Sequence, residues 1–96
     1  MRHHDIIYTE VILLSKWDKL IEEILKLNKN LRFDDLAKAL IKIGYTQYQP
    51  KGGSSHYTFR KRNNKAVTIP KADKMNKAYI ELVREAIIKY ESEAED

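Results

Sequence analysis

The chain has 96 residues, no cysteine and a formal net charge of +4. This length fits a single compact domain. The absence of cysteine excludes a disulfide scaffold, a zinc–thiolate site and a cysteine nucleophile. It also makes a cytoplasmic location the default expectation.

The positive charge is concentrated in one part of the chain. Residues 44–79 hold eight basic residues and one acidic residue, Asp73, for a net charge of +7. Residues 1–43 carry +1 and residues 80–96 carry −4. Such a basic stretch suits a polyanion such as nucleic acid, and a solvated lysine-rich surface gives the same count.

The N-terminal residues 1–14 form a predicted extension to which we assign no function. Its apolar run, Ile6–Leu14, is interrupted by Thr9 and Glu10 and is too short to span a membrane. No small-residue cleavage site follows it, so a signal peptide is not indicated. We therefore expect no membrane partner.

An amphipathic helix is predicted next, within residues 15–30. Ser15 takes the cap position and Asp18 follows three residues later, a capping box with Asp in place of Glu. Asn28-Lys29-Asn30 ends the helix. The apolar stripe at three- and four-residue spacing comprises Trp17, Leu20, Ile21, Ile24, Leu25 and Leu27.

A second helix is predicted to begin at Asp34 or Asp35, with Phe33 packing back onto its first turn. Gly44 is expected to end it as a left-handed cap residue. Its predicted buried stripe comprises Leu36, Ala37, Leu40, Ile41 and Ile43.

After Gly44 the hydrophobic period changes from 3.6 to 2, which predicts three antiparallel strands over residues 45–50, 56–61 and 65–69. A Gly-Gly-Ser-Ser connection joins the first two strands. Asn63-Asn64 marks a turn between the second and third, because Asn tolerates left-handed conformations. Pro70 is expected to close the third strand.

A last helix is predicted after Asn76 as its cap, followed by a frayed acidic tail over residues 91–96. Helix, helix, three strands and helix predict an α+β fold. The helices can cover only one face of such a sheet, so the other face meets solvent or a ligand. The apolar stripe of this helix comprises Tyr79, Leu82, Val83, Ala86, Ile87 and Tyr90.

Strand alternation places one histidine, His56, on the open face. If Tyr57 and Phe59 point towards the helices, His56 and Arg60 point away from them, and Lys61 points towards them. Histidine can accept or donate a proton near neutral pH. Nearby cations can hold a phosphate and offset the charge that develops in phosphoryl transfer. RNA supplies its own nucleophile, the 2′-OH.

The loop before His56 offers hydrogen-bond donors for a phosphate. Gly52 and Gly53 let backbone N–H groups approach closely, and Ser54 and Ser55 add hydroxyls. Taken alone, a histidine at a strand start is more often structural or a surface residue. A Gly-Gly-Ser-Ser loop is likewise more often a connector than an anion site.

Four short motifs, in order over residues 31–88, resemble the HicA family of toxins from HicAB toxin–antitoxin pairs. They are ALIKIGY (39–45), KGGSSHYTF (51–59), VTIP (67–70) and a lysine-rich turn before the last helix. The chain departs from many members at Lys61-Arg62, where they have His-Pro, and at Lys71, where they have histidine. The helix within residues 15–30 also precedes the family core.

The resemblance implies an α-β-β-β-α core over residues 31–90, like that of the double-stranded-RNA-binding domain, with an extra N-terminal helix. It implies an mRNA-cleaving toxin whose catalytic residue is His56. It also implies a HicB-like antitoxin partner that masks this histidine.

We therefore expect a metal-independent endoribonuclease acting on mRNA. The loop Gly52–Ser55 would position the scissile group, and Lys51, Arg60 and Arg62 would contact phosphates. Arg60 is the first candidate for transition-state stabilisation, because it shares the face of His56. The basic stretch holds no carboxylate cluster, so no metal or other cofactor is expected.

Two other functions fit the same residues. A non-catalytic RNA-binding module of the double-stranded-RNA-binding type would use the same basic sheet and loop. A protein-interaction module built on the helix Ser15–Leu27 and the acidic tail would bind RNA weakly and without salt dependence.

Overall fold

The computed structural model describes residues 17–94, which form three helices and one three-stranded sheet. Helix α1 covers residues 17–25, and the other elements are α2 (Phe33–Lys42), β1 (Thr46–Tyr48), β2 (His56–Arg60), β3 (Val67–Pro70) and α3 (Lys77–Ala94). The predicted α+β class and element order are confirmed for these residues. The predicted Ser15 cap and the extension over residues 1–14 lie outside them.

The sheet is antiparallel with strand order β1-β2-β3, so β2 is the central strand. Thr46 lies opposite Arg60, and His56 lies opposite Pro70. Phe59 is fully buried on the face that the helices cover. The residues that alternate with it on β2 lie on the other face and are exposed or half-buried.

The core lies between the covered face of the sheet and the three helices. Phe33, at the start of α2, packs on Tyr57 and Phe59 with ring centroids 5.0 and 6.1 Å away. Helix α1 adds Ile21 and Ile24 to this core, so it is an integral packing element. Helix α3 contributes Ile80, Val83 and Ile87, all fully buried.

Helices α1 and α2 end in the same hydrogen-bond pattern. At α1, Leu27 has a positive φ of 59°, and the Asn28 N–H donates to the Glu23 carbonyl at 3.0 Å. At α2, Gly44 has a φ of 109°, and the Tyr45 N–H donates to the Leu40 carbonyl at 2.9 Å. Both are Schellman motifs, which confirms the predicted cap at Gly44.

The helix starts agree with the prediction to within one or two residues. Helix α2 begins at Phe33, where the Asp35 carboxylate accepts the Arg32 backbone N–H at 2.9 Å. At α3, the Asn76 side chain caps as predicted and accepts the Ala78 N–H at 2.8 Å.

Four sequence predictions need correction. Helix α1 ends at residue 25 instead of Leu27, and residues 91–94 continue α3 instead of fraying. Ile41, predicted to be buried, is 52% exposed, and Leu82 and Tyr90 of the predicted α3 stripe are 42% and 38% exposed, because all three lie at the margins of their stripes. The strand predicted over 45–50 is shorter at both ends, the strand over 56–61 ends at Arg60, and the strand over 65–69 is displaced to Val67–Pro70.

Strand β1 is shorter than predicted for a physical reason at each end. The Tyr45 N–H is already used to cap α2, and Pro50 has no N–H to donate. Strand β3 starts at Val67, after the Asn63-Asn64 turn, and includes Pro70. Proline is tolerated there because β3 is an edge strand. Within residues 17–94, no helix has both the length and the apolar content needed to cross a membrane.

Candidate nucleic-acid interface

The open face of the sheet carries polar, aromatic and basic side chains. Alternation and register place seven residues on it, none of them acidic: Thr46, Tyr48, His56, Thr58, Arg60, Thr68 and Pro70. Each is exposed or half-buried. The face can therefore contact a ligand without any change in the core.

His56 is the first residue of β2 and is exposed. Its backbone N–H donates to the Ser54 hydroxyl oxygen at 3.1 Å. Among residues 17–94, no hydrogen bond or ion pair holds its imidazole. The side chain is thus anchored through its backbone and has both ring nitrogens available.

The loop before His56 contains a tight turn over Lys51–Ser54. The Ser54 N–H donates to the Lys51 carbonyl at 3.3 Å, and Gly52 and Gly53 between them have φ of 60° and 80°. Two consecutive positive φ values are typical of a type I′ turn, which favours glycine at both positions. A Cβ at either glycine would meet nothing within 4 Å, so the outer side of the turn is open.

This turn changes which donors can reach a phosphate. The Ser54 N–H is used inside the turn, and the Ser54 hydroxyl oxygen accepts from His56. The Ser55 carbonyl accepts the Lys71 N–H at 2.7 Å, which ties the end of the loop to the residue after β3. The Ser54 hydroxyl keeps its own O–H to donate, so the donors left for an anion are the N–H groups of Gly52 and Gly53 and the hydroxyls of Ser54 and Ser55.

The predicted site residues fall into two groups along β2. Lys51, the turn and His56 lie at one end. Arg60 shares the face of His56 as predicted, but Thr58 stands between them. The Cα separation over four strand residues is about 13 Å. Arg62 lies beyond the end of β2, in the turn that follows Lys61.

Lys61 lies on the covered face, as alternation predicted. Its Nζ donates to the Ile43 carbonyl at the end of α2 at 2.7 Å. The same Nζ lies 4.9 Å from the Tyr90 ring centroid and 5.8 Å from that of Tyr45. This lysine is a structural residue and takes no part in the open face.

Tyr48 is a candidate residue that the sequence reasoning missed. It lies on the open face directly opposite Thr58 and is 48% exposed. Thr58 and Thr68 pair their hydroxyls beside it at 3.2 Å. A signal was present in the sequence: Tyr45 and Tyr48 are an odd number of residues apart, so a strand must send them to opposite faces.

Within residues 17–94, no three side chains of His, Cys, Asp or Glu gather into a candidate metal site. No protein-family model, no curated protein and no solved structure matches the chain. The four sequence motifs and the geometry of the open face are therefore the features that bear on function.

Proposed function

We propose that the protein is an endoribonuclease of the HicA type, the toxin of a toxin–antitoxin pair, with His56 as its catalytic residue. The observation that carries the proposal is the His56 imidazole. It is exposed, it lacks a partner among residues 17–94, and it stands beside a glycine turn on a sheet face without acidic residues. None of the described contacts of the fold requires a histidine at this position, whereas phosphoryl transfer requires a proton-transfer group.

The element order supports a core like that of the double-stranded-RNA-binding domain. Helix α2, the three strands and α3 give the order α-β-β-β-α, and α1 is the additional helix. Such a core binds RNA through positive and polar side chains. The proposed location is the cytoplasm, where mRNA is available.

The chemistry needs one proton-transfer group and fixed positive charge. The 2′-oxygen of the RNA attacks the adjacent phosphorus, and the bond from phosphorus to the 5′-oxygen breaks. His56 either takes the proton from the 2′-OH, with water protonating the departing 5′-oxygen, or protonates that oxygen, with water taking the 2′-OH proton. The products are a 2′,3′-cyclic phosphate and a 5′-hydroxyl. The Gly52 and Gly53 N–H groups and the Lys51 ammonium would hold the scissile phosphate.

Arg60 takes a different role from the transition-state stabilisation expected of it, and Arg62 keeps its expected phosphate contact. Because Arg60 lies about 13 Å from His56 along β2, it is better placed for a neighbouring phosphate than for the scissile one. Arg62 lies in the turn after β2, past Arg60 from the histidine. Together they would hold the RNA strand along the sheet, and we assign transition-state stabilisation to the loop instead.

A HicB-like antitoxin is the proposed protein partner, and it would mask His56 by covering the open face. This role suits the open face better than the α1 face. Ile21 and Ile24 of the α1 apolar stripe are buried in the core, so less apolar surface of α1 is left to contact a partner.

The test is RNA cleavage by the purified protein and by His56→Ala, with Thr46→Ala as a control on the same face. We expect His56→Ala to lower the cleavage rate about 10²- to 10⁴-fold. Its unfolding free energy should stay within about 0.5 kcal/mol of wild type, because the side chain is exposed. Equal cleavage by His56→Ala would overturn the catalytic assignment.

The second candidate is a non-catalytic RNA-binding module. It is favoured by the spread of Lys51, Arg60 and Arg62 over the loop before β2, the last residue of β2 and the turn after it, which suits a row of phosphates more than a single one. In the same assay, RNA binding that weakens with salt, with no fragments formed by wild type, would select this function over the nuclease.

A further inference from the structure

Tyr48 is an exposed aromatic residue that the packing of the described residues does not account for. It is the last residue of β1, and 48% of its surface is accessible. Among residues 17–94, no aromatic ring or hydrogen bond partners it. A large aromatic side chain on a solvent-facing sheet is a typical contact residue for a ligand with a flat apolar surface.

The register places Tyr48 between the two basic groups of the open face. Tyr48 lies directly opposite Thr58, so His56 and Arg60 are its two diagonal neighbours on β2. Diagonal neighbours in an antiparallel sheet are about 7–8 Å apart, within reach of long and aromatic side chains. Thr58 and Thr68 beyond it are small. The Tyr48 ring therefore has His56 on one side and Arg60 on the other, and the residues across the sheet from it, Thr58 and Thr68, have short side chains.

The charge around this ring suits a polyanion. None of the seven strand residues on the open face is acidic. Asp73, the acidic residue of the basic stretch, lies beside Arg32, Phe33 and Asp34 at the start of α2, away from Tyr48. Exposed aromatic rings between cations are the usual means by which proteins hold unpaired nucleotides, since every base has a π-face that can stack.

We infer that Tyr48 stacks on an unpaired base and that the open face takes single-stranded RNA, with the flanking phosphates towards His56 and Arg60. The inference rests on the proposed function and adds the form of the substrate. Bases in a duplex are already stacked and paired, so a duplex cannot offer one to Tyr48 without melting. The face thus selects single strands, in contrast to shape-based recognition of double-stranded RNA.

The experiment measures binding separately from cleavage. The probe is a single-stranded RNA oligonucleotide with 2′-O-methyl groups at every position, which removes the nucleophile, and with one 2-aminopurine base whose fluorescence falls on stacking. The same strand annealed to its complement is the duplex probe. The variants are Tyr48→Ala, Tyr48→Phe and, as a matched control, Tyr90→Ala, an exposed tyrosine on α3.

We expect Tyr48→Ala to weaken single-strand binding about 5- to 100-fold and to abolish the fluorescence quench at one oligonucleotide position. Tyr48→Phe keeps both, because the ring is retained, and Tyr90→Ala keeps both as well. The duplex should bind more weakly than the single strand. Thermal unfolding of each variant shows that Tyr48→Ala is folded.

Two results would overturn the inference: unchanged single-strand binding by Tyr48→Ala, or equal binding of duplex and single strand. Either leaves the nuclease proposal standing if His56→Ala still abolishes cleavage of unmodified RNA. Conversely, a Tyr48-dependent quench without any cleavage by wild type keeps the stacking site and removes the nuclease.

Discussion

The two faces of β2 place adjacent residues in opposite environments. Tyr57 and Phe59 face the helices, and Phe59 is fully buried against Phe33. His56 and Arg60 face solvent and have no part in the core. One strand therefore supplies stability on one side and candidate chemistry on the other, and substitutions on the two sides should affect different measurements.

The comparison is sharpest for two neighbouring cations. Arg60 is exposed on the open face, whereas Lys61 is half-buried and held by the Ile43 carbonyl and two tyrosine rings. Lys71 likewise turns to the covered face, with its Nζ 5.9 Å from the rings of Phe33 and Tyr57. The count of basic residues in 44–79 thus overstates the charge offered on the open face.

The largest effect is expected from Phe59→Ala on the covered face. Removing this fully buried ring leaves a cavity beside Phe33 and should cost about 3–5 kcal/mol of unfolding free energy. Urea denaturation measures it. Thr58→Ala, one residue away on the open face, is the control and should cost no more than about 1 kcal/mol. Similar losses for the two would contradict the assignment of the faces.

The next prediction compares Lys61 with Arg60 by replacing each of them with methionine. Lys61→Met leaves the Ile43 carbonyl without its charged donor and should cost about 1.5–3 kcal/mol of unfolding free energy. Its RNA affinity should be unchanged.

Arg60→Met should lower RNA affinity and leave the unfolding free energy nearly unchanged. Stability stays within about 0.5 kcal/mol, while RNA affinity falls and the logarithmic salt slope for single strands shrinks by about 0.7, the value of one phosphate contact. Binding titrations at several salt concentrations measure it. An RNA defect in Lys61→Met that matches that of Arg60→Met would refute the distinction.

A smaller loss is expected from Gly44→Ala. The φ of 109° disfavours any residue with a Cβ, and the new methyl would sit 3.2 Å from Lys61 Cε. We expect a cost of about 1–2 kcal/mol, measured by denaturation. Gly53→Ala shares the positive φ but has open space around it and lies in a loop that can relax, so its cost should be smaller. The reverse order would contradict this account.

The smallest effect is confined to alkaline pH. Burial, and secondarily the charge of Glu93, raises the pKa of the Tyr45 phenol above its usual value of 10. The unfolded chain therefore loses this proton first, and stability falls as pH rises above 10 through the higher folded pKa. Tyr45→Phe should remove that part of the alkaline loss. Urea unfolding at pH 8 and above pH 10 measures it, and identical pH dependence in both proteins would contradict it.

Much of the fold follows from the sequence because local signals agree with tertiary packing. Gly44 and Asn76 cap the helices they were predicted to cap, and Asn63 adopts the positive φ expected of its turn. The end of α1 was not predictable, since Leu27 takes a positive φ that nothing in a leucine indicates. There the hydrogen bonds of the cap and the packing of the side chain outweigh backbone preference.

Strand alternation could predict only on which face of the sheet each residue of the candidate site lies. Alternation placed His56 and Arg60 on the open face and Lys61 on the other. It could not give the register between strands, which depends on the length and turn type of the connection. Register is what sets Tyr48 opposite Thr58 and makes His56 and Arg60 its diagonal neighbours.

Pro70, opposite His56, also limits how another protein can reach the site. Proline has no backbone N–H, so the outer edge of β3 lacks a hydrogen-bond donor at the position nearest His56. The other edge, β1, offers only three residues. Neither edge is a good template for an added strand. A protein that covers His56 is therefore best placed across the face through side-chain contacts, and extension of the sheet is a poor way to reach it.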